Sequence, residues 1–156
     1  MIITDHARIW IFQSMRAFTK QETQDIKSEF DNFLLDWNAH GAALLAEYEI
    51  INNQFIIVTV DEDQVEASGC SIDKLTKLIK NLEEKHQFGF LDRMNVAYEV
   101  NNKIEIMNLL DFKKAVKNSE LPAETIVYNN GVTTLSDFRS QWKLPLNKSW
   151  AKNLLP

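Results

Sequence analysis

Three side chains in this 156-residue chain are of the types that do covalent or proton-transfer chemistry and can be brought together by one fold: Cys70, His40 and Asp73. A cysteine becomes a nucleophile as its thiolate, a histidine can take its proton, and a carboxylate can hold the imidazole in place. Cys70 is the only cysteine, so no internal disulfide forms and the thiol stays available for such work. It lies in Val60–Asp73, the stretch richest in acids. Ser71 reads as the N-cap of a following helix, Gly69 as the place where the backbone bends, and Cys70 as sitting just before the first turn. The unpaired N–H groups there favour an anion. Asp61, Glu62, Asp63, Glu66 and Asp73 are close in sequence and push the other way, towards the neutral thiol. A cysteine is also a small apolar residue that packs well in cores, so a core role for Cys70 stands beside the reactive one.

The elements that must position these groups are read from periodicity. Ala7–Ser14 alternates as a strand. Thr19 with Glu22 is a capping-box pair, and Ile26, Phe30, Phe33, Leu34 and Trp37 continue at helical spacing. The outer face of that helix, with Lys20, Gln24, Lys27, Glu29 and Asn32, reads as solvated. Asn38–Gly41 ends it and carries His40. Ala43–Ile51 and Gln54–Val60 form a hairpin about Asn52-Asn53, and a second helix follows from Ile72. A second hairpin turns at Asn101-Asn102.

This βαββαβ order predicts an α+β fold of ferredoxin-like type, an antiparallel sheet with two helices on one face. The chain is expected to be a single domain over 1–156, with the core in 1–110 and an extension in 111–156 made of short helices, strands and a basic tail. The expected order places Asn38–Gly41 and Asp61–Gly69 at the same end of the sheet, which is what would let His40 serve Cys70.

Composition narrows the functional classes. Hydrophobic residues are 45% and charged residues 25%, as in an ordinary globular protein, and 17 basic against 22 acidic residues give −5. That balance does not suit nucleic acid as the main partner. The start of the chain carries charge within a few residues and no long apolar run, so neither a signal peptide nor a membrane span is expected, and the cytoplasm is the expected location. Every acid lies at or before Asp137. Residues 138–156 carry only Arg139, Lys143, Lys148 and Lys152 as charges, with Trp142 and Trp150 interleaved. Such a tail can grip an anionic partner, or it can fold onto its own acidic chain.

Metal chemistry finds little to work with. His6, His40 and His86 are far apart, there is no CxxC or HxxH, and the acidic loop lacks the calcium-binding pattern. No metal and no cofactor is expected.

Asp5-His6-Ala7-Arg8-Ile9-Trp10, Ala39-His40-Gly41, Val60-Asp61-Glu62, Ala67–Asp73, Leu91-Asp92-Arg93-Met94 and Ser149-Trp150 together give a resemblance across essentially the whole chain. It resembles a small bacterial family of uncharacterised proteins whose members are often labelled "ABC transporter ATPase". The resemblance implies no established activity, substrate or catalytic residue. Ile57–Glu62 looks like the strand that ends in the acid pair of such ATPases, but Gly41, Gly69, Gly89 and Gly131 are too far apart for a phosphate-cradling loop. ATPase chemistry of that type is therefore rejected.

The expected function is binding or assembly, with a homodimer through the open sheet face or an edge strand as one form of it. The alternatives are a thiol enzyme built on Cys70, His40 and Asp73, and a small-ligand binder. The candidate contact residues are Asp61, Glu62, Ser71 and Arg93, together with Trp142, Lys148, Trp150 and Lys152 of the tail.

Overall fold

The computed structural model describes residues 3–156. In chain order the elements are β1 (Arg8–Gln13), α1 (Lys20–Leu35), β2 (Asn38–Ala39), β3 (Ala42–Ala43), β4 (Leu45–Ile51), β5 (Phe55–Asp61), α2 (Gly69–His86), β6 (Asn95–Val100), β7 (Lys103–Asn108), α3 (Leu109–Lys117), β8 (Ile126–Tyr128), α4 (Leu135–Gln141) and β9 (Lys143–Pro145). Two short 3-10 turns, Leu146–Lys148 and Lys152–Leu154, end the chain. The fold is α+β with antiparallel sheets. Among the described residues no helix is long and apolar enough to cross a membrane.

The chain divides into two compact units. The first runs to Leu91 and takes in Thr133–Ser136; the second is Asp92–Val132 with Asp137–Pro156. The expected division, a core of 1–110 with 111–156 as its extension, is thus not the one observed. The second hairpin goes with the C-terminal segment because β6 finds its outer neighbour in β8, not in β1.

The first unit holds a three-stranded sheet in the order β1-β5-β4, every pair antiparallel. β5 is buried at all seven positions. Ile56, Val58 and Val60 face the helices and pack with Ile26, Phe30 and Trp37 of the α1 segment and Leu75, Ile79 and Leu82 of α2. Phe55, Ile57 and Thr59 on the opposite face are buried as well. Burying each such apolar side chain is worth about 1.5–3 kcal/mol, which makes β5 the strand the unit is built around. The outer edge of β1 is not left open: Ile9 N–H donates to the Thr133 carbonyl at 3.0 Å and Leu135 N–H to the Ala7 carbonyl at 2.9 Å, with Arg8 bridged to Thr134. The short segment Thr133–Ser136 therefore lies where a fourth strand was expected.

Helix α1 begins with the expected capping box. Thr19 accepts from the Glu22 N–H at 3.1 Å, and the Glu22 carboxylate accepts from the Thr19 N–H at 2.9 Å. Where α1 begins and α2 ends, charged groups close on one another. Arg16 makes a two-pronged pair with Glu22, both at 2.8 Å, and Lys85 and His86 both reach Asp25, at 3.1 and 2.5 Å. The His86 ring stacks on Phe88, and Arg16 lies over the same ring.

The second unit holds a four-stranded sheet in the order β7-β6-β8-β9. Val96, Tyr98 and Val127 pack there with Phe112 and Val116 of α3 and with Leu146 and Ala151 from the C-terminal segment. Asn108 caps α3, its side chain accepting from the Leu110 N–H at 2.9 Å. The segment read as a basic tail is part of this fold: Lys143–Pro145 is a strand, and Leu146 and Ala151 are core.

Candidate functional site

Helix α2 starts three residues earlier than expected. Its N-cap is Ser68, whose side chain accepts from the Ser71 N–H at 3.1 Å, so Gly69 is the first helical residue and not a bend. Ser71 is buried inside the first turn, its hydroxyl donating to the Ser68 carbonyl at 2.7 Å and its own carbonyl accepting from the Trp37 indole at 2.8 Å. It presents no surface to a ligand. Cys70, beside it, is exposed, and the core role for this cysteine is thereby overturned.

His40 is not at a simple helix end. It forms, with Gly41, the two-residue turn of the small β2–β3 hairpin, at φ 53° and 82°, the backbone region where glycine is at ease and other residues are strained. Strands of only two residues on either side, with no alternation long enough to read, left this hairpin invisible in the sequence. The Trp37 indole joins the base of that hairpin to the first turn of α2, so the elements carrying His40 and Cys70 are neighbours. Cys70, His40 and Asp73 are all exposed, and among the described residues no hydrogen bond or ion pair joins any two of them.

The acid pair that ends β5 is engaged locally. Asp61 is buried and accepts from the Asp63 N–H at 3.0 Å and from the N–H and hydroxyl of Thr4 at 3.2 and 3.0 Å. Those bonds, the Asp63 amide first, hold its carboxyl below the usual range. Glu62 accepts from the Ala67 N–H at 2.8 Å and lies 4.0 Å from Arg8. His6 pairs with Asp63, whose hydrogen bond raises the affinity of the imidazole for its proton. Among the described residues no three His, Cys, Asp or Glu side chains are grouped as a metal site would need.

In the second unit both tryptophans are tied into the fold, Trp142 buried and Trp150 still 43% exposed. Trp142 is buried against Tyr128 and Phe138, its indole donating to Asn130 at 2.9 Å; Trp150 lies on Phe112 and donates to the Tyr128 carbonyl at 3.1 Å. Lys148, Lys152 and Arg93 are exposed.

The residues that do converge were not singled out in the sequence. A cleft of about 450 Å³ opens between α1 and α2. Phe33, Trp37 and Leu78 line it, and Trp37 and Leu78 are almost fully buried. Glu29 and Asp36 stand on the α1 side, Lys74 and Lys77 on the α2 side. The helices run antiparallel, since Trp37 meets Ser71 at one end and Asp25 meets His86 at the other. The acids therefore form one wall and the lysines the facing one. Among the described residues none of the four charged groups makes an ion pair. Cys70 continues the lysine row, one turn before Lys74 on the same helix face. The signal in the sequence was the facing rows, 29 and 36 on one helix against 74 and 77 on the next. Each row alone looks like an ordinary wet helix face. Comparison of the chain with protein-family models, curated proteins and solved structures finds no match.

Proposed function

We propose that this chain is a cytoplasmic binding or assembly protein, not an enzyme, and that the cleft between α1 and α2 is its recognition surface. The observation that carries this reading is the pair of facing charged walls, acid on one side and lysine on the other, unpaired over an aromatic floor. Asp36, Lys74 and Lys77 are exposed and Glu29 is half-buried, so all four charges can reach a ligand that enters the cleft from solvent. The strand order β1-β5-β4 supports reading the first unit as a split βαβ of ferredoxin-like kind whose fourth strand place is taken by Thr133–Ser136. Nucleotide hydrolysis, which the family label suggests, is outside this reading, because the glycine spacing offers no phosphate loop.

The competing thiol-enzyme reading keeps one observation in its favour: Cys70 is exposed in the first turn of a helix. The two readings part on the alkylation rate of Cys70 against pH, compared with the unfolded chain. A binding protein gives a native rate no faster than that of the unfolded thiol. A much faster native rate, lost in His40→Ala, would make Cys70 an activated nucleophile and overturn the binding reading.

A further inference from the structure

We propose that the α1/α2 cleft takes a small zwitterion of the free α-amino-acid class, its ammonium group against Glu29 and Asp36 and its carboxylate against Lys74 and Lys77. This rests on the reading of the cleft as a recognition surface and names what it recognises. Charge arrangement carries the argument. A simple anion would be held by the lysines but repelled by the acids across the cleft, and a simple cation the reverse. Only a ligand carrying both signs is favoured by both walls at once.

The four groups do not satisfy one another, although the same two helices form tight pairs at their other end, between Asp25 and His86 and between Asp25 and Lys85. A volume of about 450 Å³ suits a small molecule and not a folded partner. The floor asks for an apolar or aromatic side chain. Trp37 is only 3% exposed and its indole N–H is committed to the Ser71 carbonyl at 2.8 Å, so it backs the floor, and the half-buried Phe33 ring packed on it is the aromatic face a ligand side chain would meet.

The test is a titration of the ¹⁵N-labelled full chain with L-leucine and L-phenylalanine, each also as its N-acetyl and its amide derivative. The signals followed are the Trp37 indole and the amides of residues 29–37 and 74–81. The free amino acids shift these signals to saturation, and each blocked derivative binds about tenfold or more weakly, the loss of one charge-assisted pair. The double variant Lys74→Glu, Lys77→Glu loses binding by at least as much, with circular dichroism showing the fold retained. Equal binding of free and blocked forms would overturn the zwitterion assignment while leaving the cleft as a recognition surface. Cleft signals that no probe moves would overturn both.

Discussion

The two ends of the α1/α2 pair are held by different means. Where α1 begins and α2 ends, Arg16, Glu22, Asp25, Lys85 and His86 are spent on one another. Where α1 ends and α2 begins, the tie is one indole on one carbonyl, and Glu29, Asp36, Lys74 and Lys77 stay unpaired beside it. The difference shows that charge on a helix surface is not one thing. At the first end it fixes the approach of two helices; at the second an aromatic residue has taken over that task.

The largest effect that tests this contrast is Trp37→Ala. Removing a buried tryptophan with its hydrogen bond costs about 3–5 kcal/mol in urea unfolding. A loss of only about 0.5 kcal/mol, as for a surface change, would break the comparison.

Next comes Glu22→Gln, which keeps the capping acceptor and removes the charge facing Arg16; it costs about 1 kcal/mol at neutral pH. Arg16 holds the Glu22 carboxyl down to about 2, from an ordinary 4.5. A depressed folded value stabilises above the unfolded value and loses that contribution as pH falls through the folded one. The gap between native protein and variant is therefore full above about 4.5 and closes towards pH 2. A gap that does not change with pH would mean the pair stabilises through packing, not charge.

The smallest effect belongs to the cleft. Lys74→Ala and Lys77→Ala leave stability within about 0.5 kcal/mol of the native chain, since neither lysine has a partner to lose. A larger loss in the same unfolding measurement would place these lysines with the paired end and erase the distinction.

How far the sequence carried can be argued from the same elements. The Thr19–Glu22 box and the two Asn-Asn turns are local signals, and all three produce the structure they predict, while the helix read from Ile26 to Trp37 stops at Leu35 and leaves Trp37 just beyond its cap. Asn52, Asn53, Asn101 and Asn102 all take positive φ, as two-residue turns of this kind require. The start of α2 was misplaced because Ser68 and Ser71 are both good caps three residues apart, and only the fold decides which hydroxyl meets which amide. The fate of the second hairpin was not legible. Its turn and strands were found, but whether β6 joins β1 or β8 depends on residues about thirty positions away, and alternation says nothing about a neighbour. Residues 143–151 were hidden by their charge. Lys143 and Lys148 flag solvent, while Leu146 and Ala151 between and after them go to the core. The candidate sites divide in the same way: Cys70, His40 and Asp73 are noticed for their reactivity, whereas the proposed cleft is made of common residues that only position brings together.

One edge of the first sheet remains to be considered, β4, which pairs only with β5 among the described residues. An edge of seven residues ending in Ile50 and Ile51 is the kind of template on which chains stack into aggregates. In antiparallel contact between two copies centred on Tyr48, Glu47 of each chain would face Glu49 of the other. Four carboxylates would then be forced into a single ladder, a repulsion that like charges directly opposite always carry. The outward charges of β4 thus oppose the stacking of copies along its open edge, the contact from which fibrils are seeded.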